Sequence, residues 1–364
     1  MISASIVVLG GGNTAFSVAA NLSLQGVRVT LCELPEFRQT IEPISQTGEI
    51  ILDGVAQQGT APLQLVTTNF AEALAENELI LLIVPAYGHR AFAKACAPHL
   101  RQGQVVVLMP GTLGSLEFAH ILRQQGTAPG VVVAEVDTAP YVCRKMSATS
   151  AQIWGVVSGL GLGVWPAKES ERVRSLLEPL FPGLQMYDHV VAAGLASMNP
   201  VVHPAGVLLN AGRIEYSRGD FYFYEEGVTP SVCRLIYAVD QERRAVAKAL
   251  DVELPAVDEA FHQAGFGPQG DLWATINGSR MLTQLRAPGV LGNRWLTEDV
   301  PYGLAAWAKL GEQLQVNCPI MKSVVDLNSA MMGTDFWTQA RDPEQLGIAG
   351  LTKEQLLRFL NSGD

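Results

Sequence analysis

The sequence predicts an α/β chain in two parts, a parallel sheet wrapped by helices followed by a mainly α-helical half. Three observations predict it. Short apolar runs alternate with helical stretches over about the first 130 residues, a glycine turn closes the first run, and helical periodicity takes over past Trp165-Pro166. At 364 residues the chain exceeds what one hydrophobic core usually organises, which favours two domains.

The apolar runs are residues 6–9, 28–32, 63–67, 79–84, 105–108 and 131–135. That rhythm argues for parallel strands joined by helices. Several runs are continuously apolar rather than alternating, as expected where helices cover both faces of a sheet. The first run leads into Gly10-Gly11-Gly12-Asn13-Thr14-Ala15, which reads as strand, tight turn and helix start in the order G-x-G-x-x-A. Gly10 allows the turn, Gly12 lets backbone N–H groups approach a pyrophosphate, and the small Ala15 permits close packing of helix on strand. The helix start then offers its partial positive charge to the phosphates. These residues predict an N-terminal Rossmann dinucleotide-binding domain, with Gly10, Gly12, Asn13, Thr14 and Ala15 at the cofactor.

The first helix closes at Gly26, and the second strand ends in Glu33, 23 residues after Gly10. A carboxylate there accepts both ribose hydroxyls and repels a 2′-phosphate, favouring NAD. Arg38, five residues on, keeps NADP open. The loops Val84-Pro85-Ala86 and Met109-Pro110-Gly111-Thr112 leave the carboxyl ends of later strands. In open α/β sheets such loops line the ligand crevice, so Val84, Pro85, Pro110 and Gly111 are expected beside the cofactor.

A charged helix over residues 167–180 and the turn Phe181-Pro182-Gly183 mark a boundary near residue 185. Residues 1–185 form the dinucleotide-binding domain in this reading, and residues 186–364 a helical substrate domain. Val232, Leu235, Ile236, Val239, Val246 and Leu250 recur at helical spacing, and Thr229-Pro230 supplies an N-cap and an N1 proline. Further helices are expected at about 304–315, 320–332 and 353–360. The segment Asn199-Pro200-Val201-Val202-His203-Pro204 reads as a helix start with Asn199 and His203 on one face, kinked at Pro204. A histidine fixed between two prolines suits a general acid or base, because imidazole titrates near neutrality. A capping or core histidine is the competing reading.

Composition narrows the class. Hydrophobic residues make up 48% and charged residues 16%, which excludes a disordered polyelectrolyte. Residues 79–85 and 105–109, the longest apolar stretches, fall well short of the roughly 18–20 residues of a membrane helix. No membrane partner is expected. The N-terminus enters a strand with no basic region before it, unlike a secretory signal. Cys32, Cys96, Cys143, Cys233 and Cys318 are odd in number and far apart, which fits free thiols in a reducing compartment and no structural metal. A net charge of −10 without a dense basic cluster argues against nucleic acid. The expected location is the cytoplasm.

Four blocks of the second half, taken together, resemble the octopine/nopaline (opine) dehydrogenase family. They are Asn199-Pro-Val-Val-His203-Pro204, Leu208-Leu209-Asn210-Ala211-Gly212-Arg213, residues 221–231 from Phe221 to Ser231, and Glu298-Asp299-Val300-Pro301. The glycine turn, the Val84 and Pro110 loops and Cys143-Arg144 also fit, so the resemblance covers nearly the whole chain and is nearest the bacterial N-(1-D-carboxyethyl)-L-norvaline dehydrogenase branch. It implies a helical domain of the 6-phosphogluconate dehydrogenase C-terminal-like type. The implied reaction is NADH- or NADPH-dependent reductive condensation of an L-amino acid with a 2-oxo acid such as pyruvate. Its catalytic pair carries over to His203 and Asp299, with substrate held by Asn199, Arg294 and Cys143. A homodimer stays open as the assembly. The resemblance leaves the amino-acid pocket undefined, and Thr14, Ala15 and Phe16 depart from the small residues and histidine common in close relatives.

Two other readings compete. One is a 2-oxo or 2-hydroxy acid reductase of the ketopantoate reductase-like type, which usually depends on an active-site lysine that is absent around Asn199. The other is a nucleotide sensor without catalysis, which the retention of both His203 and Asp299 disfavours.

Overall fold

The apolar runs pair as a doubly wound sheet in the computed structural model, which describes residues 5–127 and 130–364. In chain order the strands are β1 (Ser5–Leu9), β2 (Arg28–Cys32), β3 (Glu49–Gly54), β4 (Gly59–Pro62), β5 (Leu65–Thr67), β6 (Leu79–Leu82), β7 (Val105–Leu108), β8 (Val132–Val136), β9 (Tyr141–Lys145), β10 (Ser150–Val156), β11 (Gly161–Trp165) and β12 (Gln185–Met186). Eight of them form one sheet in the order β12-β11-β8-β7-β6-β1-β2-β5. Strands β5, β2, β1, β6, β7 and β8 run parallel, and β11 joins β8 antiparallel. Strand order reverses between β1 and β6, so the ligand crevice of such a sheet falls at their carboxyl ends.

The continuous apolar runs are explained by burial on both faces. Ile6, Val7, Val8 and Leu9 are at most 1% exposed, and each such side chain contributes roughly 1.5–3 kcal/mol by leaving water. The first helix, Asn13–Leu24, is buried at every position from Ala15 to Ser23. An all-round apolar helix needs cover on every side. Here that cover is the large sheet together with a second sheet, in the order β4-β3-β10-β9, that the sequence reading did not anticipate. Asn21 fastens the helix to the second sheet by donating from Nδ2 to the Tyr141 hydroxyl at 2.7 Å and accepting from Gln57 N at 3.1 Å.

The chain divides into two units, Met1–Gly194 with Phe359–Asp364, and Leu195–Arg358. The division therefore lies nine residues beyond the expected position 185, and the last six residues belong to the first unit rather than the second. The Trp165 indole explains the return: Nε1 donates to the Phe359 carbonyl at 3.1 Å, and the two rings lie 5.3 Å apart.

The second unit is helical as expected. Its main helices are Asn199–Ser217, Pro230–Ala249, Ala306–Gln313 and Pro319–Met332. Thr229 stands at the N-cap of Pro230–Ala249, with Pro230 at N1, but its side chain makes no capping hydrogen bond. The helix Asn199–Ser217 continues through Pro204. Among the described residues one helical run, Val190–Ser217, has the length and hydropathy of a membrane span, and 89% of its apolar window is buried within the protein. It is a core helix, missed as an apolar run because Asn199, His203 and small residues interrupt it.

Candidate active site

In the first unit the glycine turn sits at the switch point. Gly10 has φ +122°, and a Cβ there would stand 2.5 Å from the Ile83 carbonyl oxygen and 2.8 Å from Val84 Cγ1. The turn is therefore pressed against the loop that carries Val84 and Pro85. Gly12 is the N-cap of the first helix, which has neither a side-chain cap nor an acid in its first turn. A Cβ on Gly12 would meet nothing within 4 Å. Uncapped N–H groups opening onto empty space fit a pyrophosphate. The side chains of Asn13 and Thr14 turn towards β9: Asn13 Oδ1 accepts from Lys145 N at 2.9 Å, and Thr14 Oγ1 lies 3.8 Å from Cys143 Sγ. What these positions offer a cofactor is backbone N–H. Ala15 is fully buried, as its packing role requires.

Glu33 directly follows β2 and is only 6% exposed, with Leu34 N donating to Oε1 at 2.7 Å. Burial pushes its carboxyl up from the ordinary range, against the N–H groups of Leu34 and Gly11 and the nearby Lys145 charge. Lys145 was not anticipated. Its Nζ donates to the carbonyls of Gly11 at 3.3 Å and Thr40 at 3.2 Å, and stands 3.5 Å from the centre of the Phe16 ring. A single lysine on a strand carries no sequence signal; only the second sheet delivers it to the glycine turn.

The Pro110-Gly111 loop is fixed from below. Gly111 N donates to the Val136 carbonyl at 3.1 Å. The fully buried Glu135 carboxylate accepts from Leu113 N and Ser115 N, each at 2.9 Å, and from Ser115 Oγ at 2.6 Å. A carboxylate at the N-terminus of the helix Gly114–Gln124 satisfies donors that would otherwise be orphaned.

The second unit assembles a histidine cluster. His203 Nδ1 lies 2.7 Å from Asp299 Oδ2, and Nε2 lies 3.0 Å from the Tyr224 hydroxyl. The Trp295 indole stacks on the imidazole, centroids 4.4 Å apart and planes 11° apart. His203, Asp299 and Tyr224 are 7%, 9% and 5% exposed, so these polar contacts are made away from bulk water. Burial and the Asp299 charge push the Tyr224 phenol well above its usual range, which keeps it neutral.

Local packing explains the convergence. A Cβ on Gly303 would stand 2.3 Å from Pro200 Cβ, and one on Gly206 would stand 2.6 Å from the Phe223 ring. Without side chains, both glycines let their neighbours press onto the helix Asn199–Ser217, one turn either side of His203. Both partners of His203 ride on wide π-helical turns, Tyr224 in Phe223–Gly227 and Asp299 in Asp299–Ala305. Such turns recur at functional sites.

The remaining expected substrate residues are not joined to this cluster. Asn199 is exposed at the first position of its helix, four residues before His203. Arg294 opens the short helix Arg294–Thr297 that also carries Trp295; its side chain is 69% exposed, with Glu298 at 3.9 Å. Cys143 belongs to the first unit, against Thr14. Sequence reasoning missed Trp295 altogether and held Tyr224 only within the family block from Phe221 to Ser231.

Comparison with known proteins adds to this geometry. Residues 186–332 match the family model described as NAD/NADP octopine/nopaline dehydrogenase, alpha-helical domain. The opine dehydrogenase of Arthrobacter sp. (strain 1C) is 33% identical over 351 residues, covering 96% of this chain and 97% of the relative. The chain belongs to the opine dehydrogenase family. Among solved structures of the family fold, octopine dehydrogenase with NADH and L-arginine superposes with a TM-score of 0.78 at 20% identity, over 98% of both chains. Yersinopine dehydrogenase with NADP+ superposes with a TM-score of 0.75 at 15% identity, over 99% of this chain and 98% of the other. For this member of the opine dehydrogenase family, the Rossmann-type sheet and the helical second part are thus shared fold features.

Proposed function

We propose that this chain catalyses the NAD(P)H-dependent reductive condensation of an L-amino acid with a 2-oxo acid such as pyruvate. The observation that carries the reading is the Asp299–His203 pair, 2.7 Å apart and nearly buried, in a chain whose uncapped helix opens behind a glycine turn. NAD is the preferred cofactor in this reading, because the Glu33 carboxylate after the second strand would accept ribose hydroxyls and repel a 2′-phosphate; exposed Arg38 is the residue that would admit NADP. When bound, the nicotinamide supplies the hydride.

The protein's own part is proton management and orientation. Condensation expels the oxo-acid oxygen as water, and that oxygen needs a proton. His203 supplies it. Asp299 holds Nδ1–H, fixes the ring and stabilises the imidazolium that precedes donation. The exposed fork of Arg294 suits a substrate carboxylate, and Asn199, one helical turn before His203, offers an amide to the reacting oxygen or nitrogen. Cys143 is assigned to the substrate side of the glycine turn, where its thiol meets Thr14. All five cysteines are free, which supports a reducing, cytoplasmic setting.

The test follows nicotinamide absorbance with purified protein, NADH or NADPH, pyruvate and a pool of L-amino acids. Oxidation that requires both organic substrates is expected; oxidation with the oxo acid alone would overturn the reading in favour of a simple reductase. His203→Ala should bind NADH normally and lose most turnover, and unchanged turnover would remove His203 from its assigned role.

A further inference from the structure

Both nitrogens of His203 are already engaged within the protein. Nδ1 meets Asp299 Oδ2 at 2.7 Å and Nε2 meets the Tyr224 hydroxyl at 3.0 Å, while Trp295 covers a face of the ring. With Asp299 ionised, Nδ1–H donates to it, so neutral Nε2 accepts from the Tyr224 O–H. In the imidazolium the second bond reverses, Nε2–H donating to the phenol oxygen. A hydroxyl serves in either direction, which neither a pure donor nor a pure acceptor can do. The charge on His203 can therefore change without movement of the ring. The in-plane direction along which Nε2 would hand over its proton ends on Tyr224.

We propose that the Tyr224 hydroxyl carries the proton between His203 and the substrate oxygen. The proposal rests on the assignment of His203 as proton donor and deepens it. In the step, the amine-nitrogen lone pair of the carbinolamine forms the C=N bond as the C–O bond breaks. The departing hydroxyl takes the Tyr224 O–H proton and leaves as water, and the imidazolium Nε2 proton passes to the phenol oxygen. Tyrosine ends unchanged, His203 ends neutral, and Nδ1 keeps its proton, still donated to Asp299. Tyr224 is suited to this because burial keeps the phenol neutral, and its ring is braced by Phe223 at 5.2 Å and 87° and by Trp295 at 6.3 Å and 61°.

The test is Tyr224→Phe, which keeps the ring and its aromatic contacts and removes only the hydroxyl. The expected result is a kcat roughly 100-fold or more below wild type, the scale of losing a positioned proton donor, with NADH affinity unchanged. A Tyr224→Phe enzyme that turns over close to the wild-type rate would overturn the proposal, since the substrate would then reach Nε2 directly. If Tyr224→Phe does not fold, fluorotyrosine at position 224 decides: the same ring with a more acidic phenol should shift kcat and its pH limb, and indifference to phenol acidity overturns the relay. Failure of the underlying reading looks different. The wild-type protein would then oxidise NADH without needing both organic substrates, whatever stands at position 224.

Discussion

Replacing Gly12 by alanine separates folding from cofactor binding at the glycine turn. Gly12 lies at φ −84°, ψ −177°, a conformation any L-residue adopts, and its Cβ would touch nothing within 4 Å. Folding should therefore be unharmed, and the lower freedom of the unfolded chain should add about 0.4–1 kcal/mol of stability. The new methyl group instead occupies the space onto which the uncapped N–H groups open. Losing one charge-assisted hydrogen bond to the pyrophosphate costs about 1.5–3 kcal/mol, or roughly 10- to 150-fold in NADH affinity. Gly10→Ala is the contrast. Its Cβ would stand 2.5 Å from a backbone oxygen at φ +122°, so it should lose both stability and binding. Thermal unfolding without ligand and NADH fluorescence titration read the two effects. A Gly12→Ala protein that binds NADH like wild type, or that melts early, would refute the assignment of that space to the pyrophosphate.

Lys145→Met removes the ammonium that links the carbonyls of Gly11 and Thr40 and should cost roughly 1–3 kcal/mol of stability from its two hydrogen bonds. It should also weaken NADH binding several-fold, and calorimetric titration showing unaltered affinity would detach Lys145 from the cofactor loop. Asp137 follows β8, accepts from Gly161 N at 3.1 Å and from the Tyr187 hydroxyl at 3.2 Å, and burial pushes its carboxyl up to about 7. A raised folded-state value favours the protonated form, so this stability is present below the ordinary aspartate value of 3.8 and is lost as pH climbs through about 7. Asp137→Asn keeps the shape without the titration. The melting temperature of wild type should decline relative to the variant across that window, and parallel curves would count against the assignment.

Five of the six apolar runs were legible because a strand buried on both faces is apolar nearly throughout, and β1, β2, β6, β7 and β8 appear within about two residues of where those runs lie; the sixth run meets β5, which is half-buried at all three positions. The second sheet was not. In β3 buried and exposed residues alternate, Ile50 and Leu52 inward against Glu49, Ile51 and Asp53 outward, and β4 is four residues of Gly, Thr, Ala and Pro. Neither has a run to detect, and their partner is the all-round buried first helix, whose small residues read equally well as an ordinary helix start.

The candidate site divides along the same physical line. Gly10, Gly12 and Glu33 are close in sequence and obey local spacing, so a motif finds them. His203 and Asp299 are 96 residues apart, and no local rule joins them; the family resemblance named both, but not what would hold them together. That was hidden because the reading of a helix beginning at about residue 304 left Asp299 outside it. In the structure the helical path starts earlier, as the π-turn Asp299–Ala305 before Ala306–Gln313. Pro301 brings no N–H to this turn and so cannot close a regular i→i−4 bond there, which favours the wider path. The helical pattern visible in sequence begins only where that irregularity ends. Tyr224 was obscured for the same reason, inside a second π-turn, Phe223–Gly227. The hydrogen-bond partners of His203 thus lie where backbone periodicity is broken, and a periodicity argument is blind there by construction. Gly206 and Gly303, the positions that let both turns press onto the helix of His203, carry no signal until their neighbours are known.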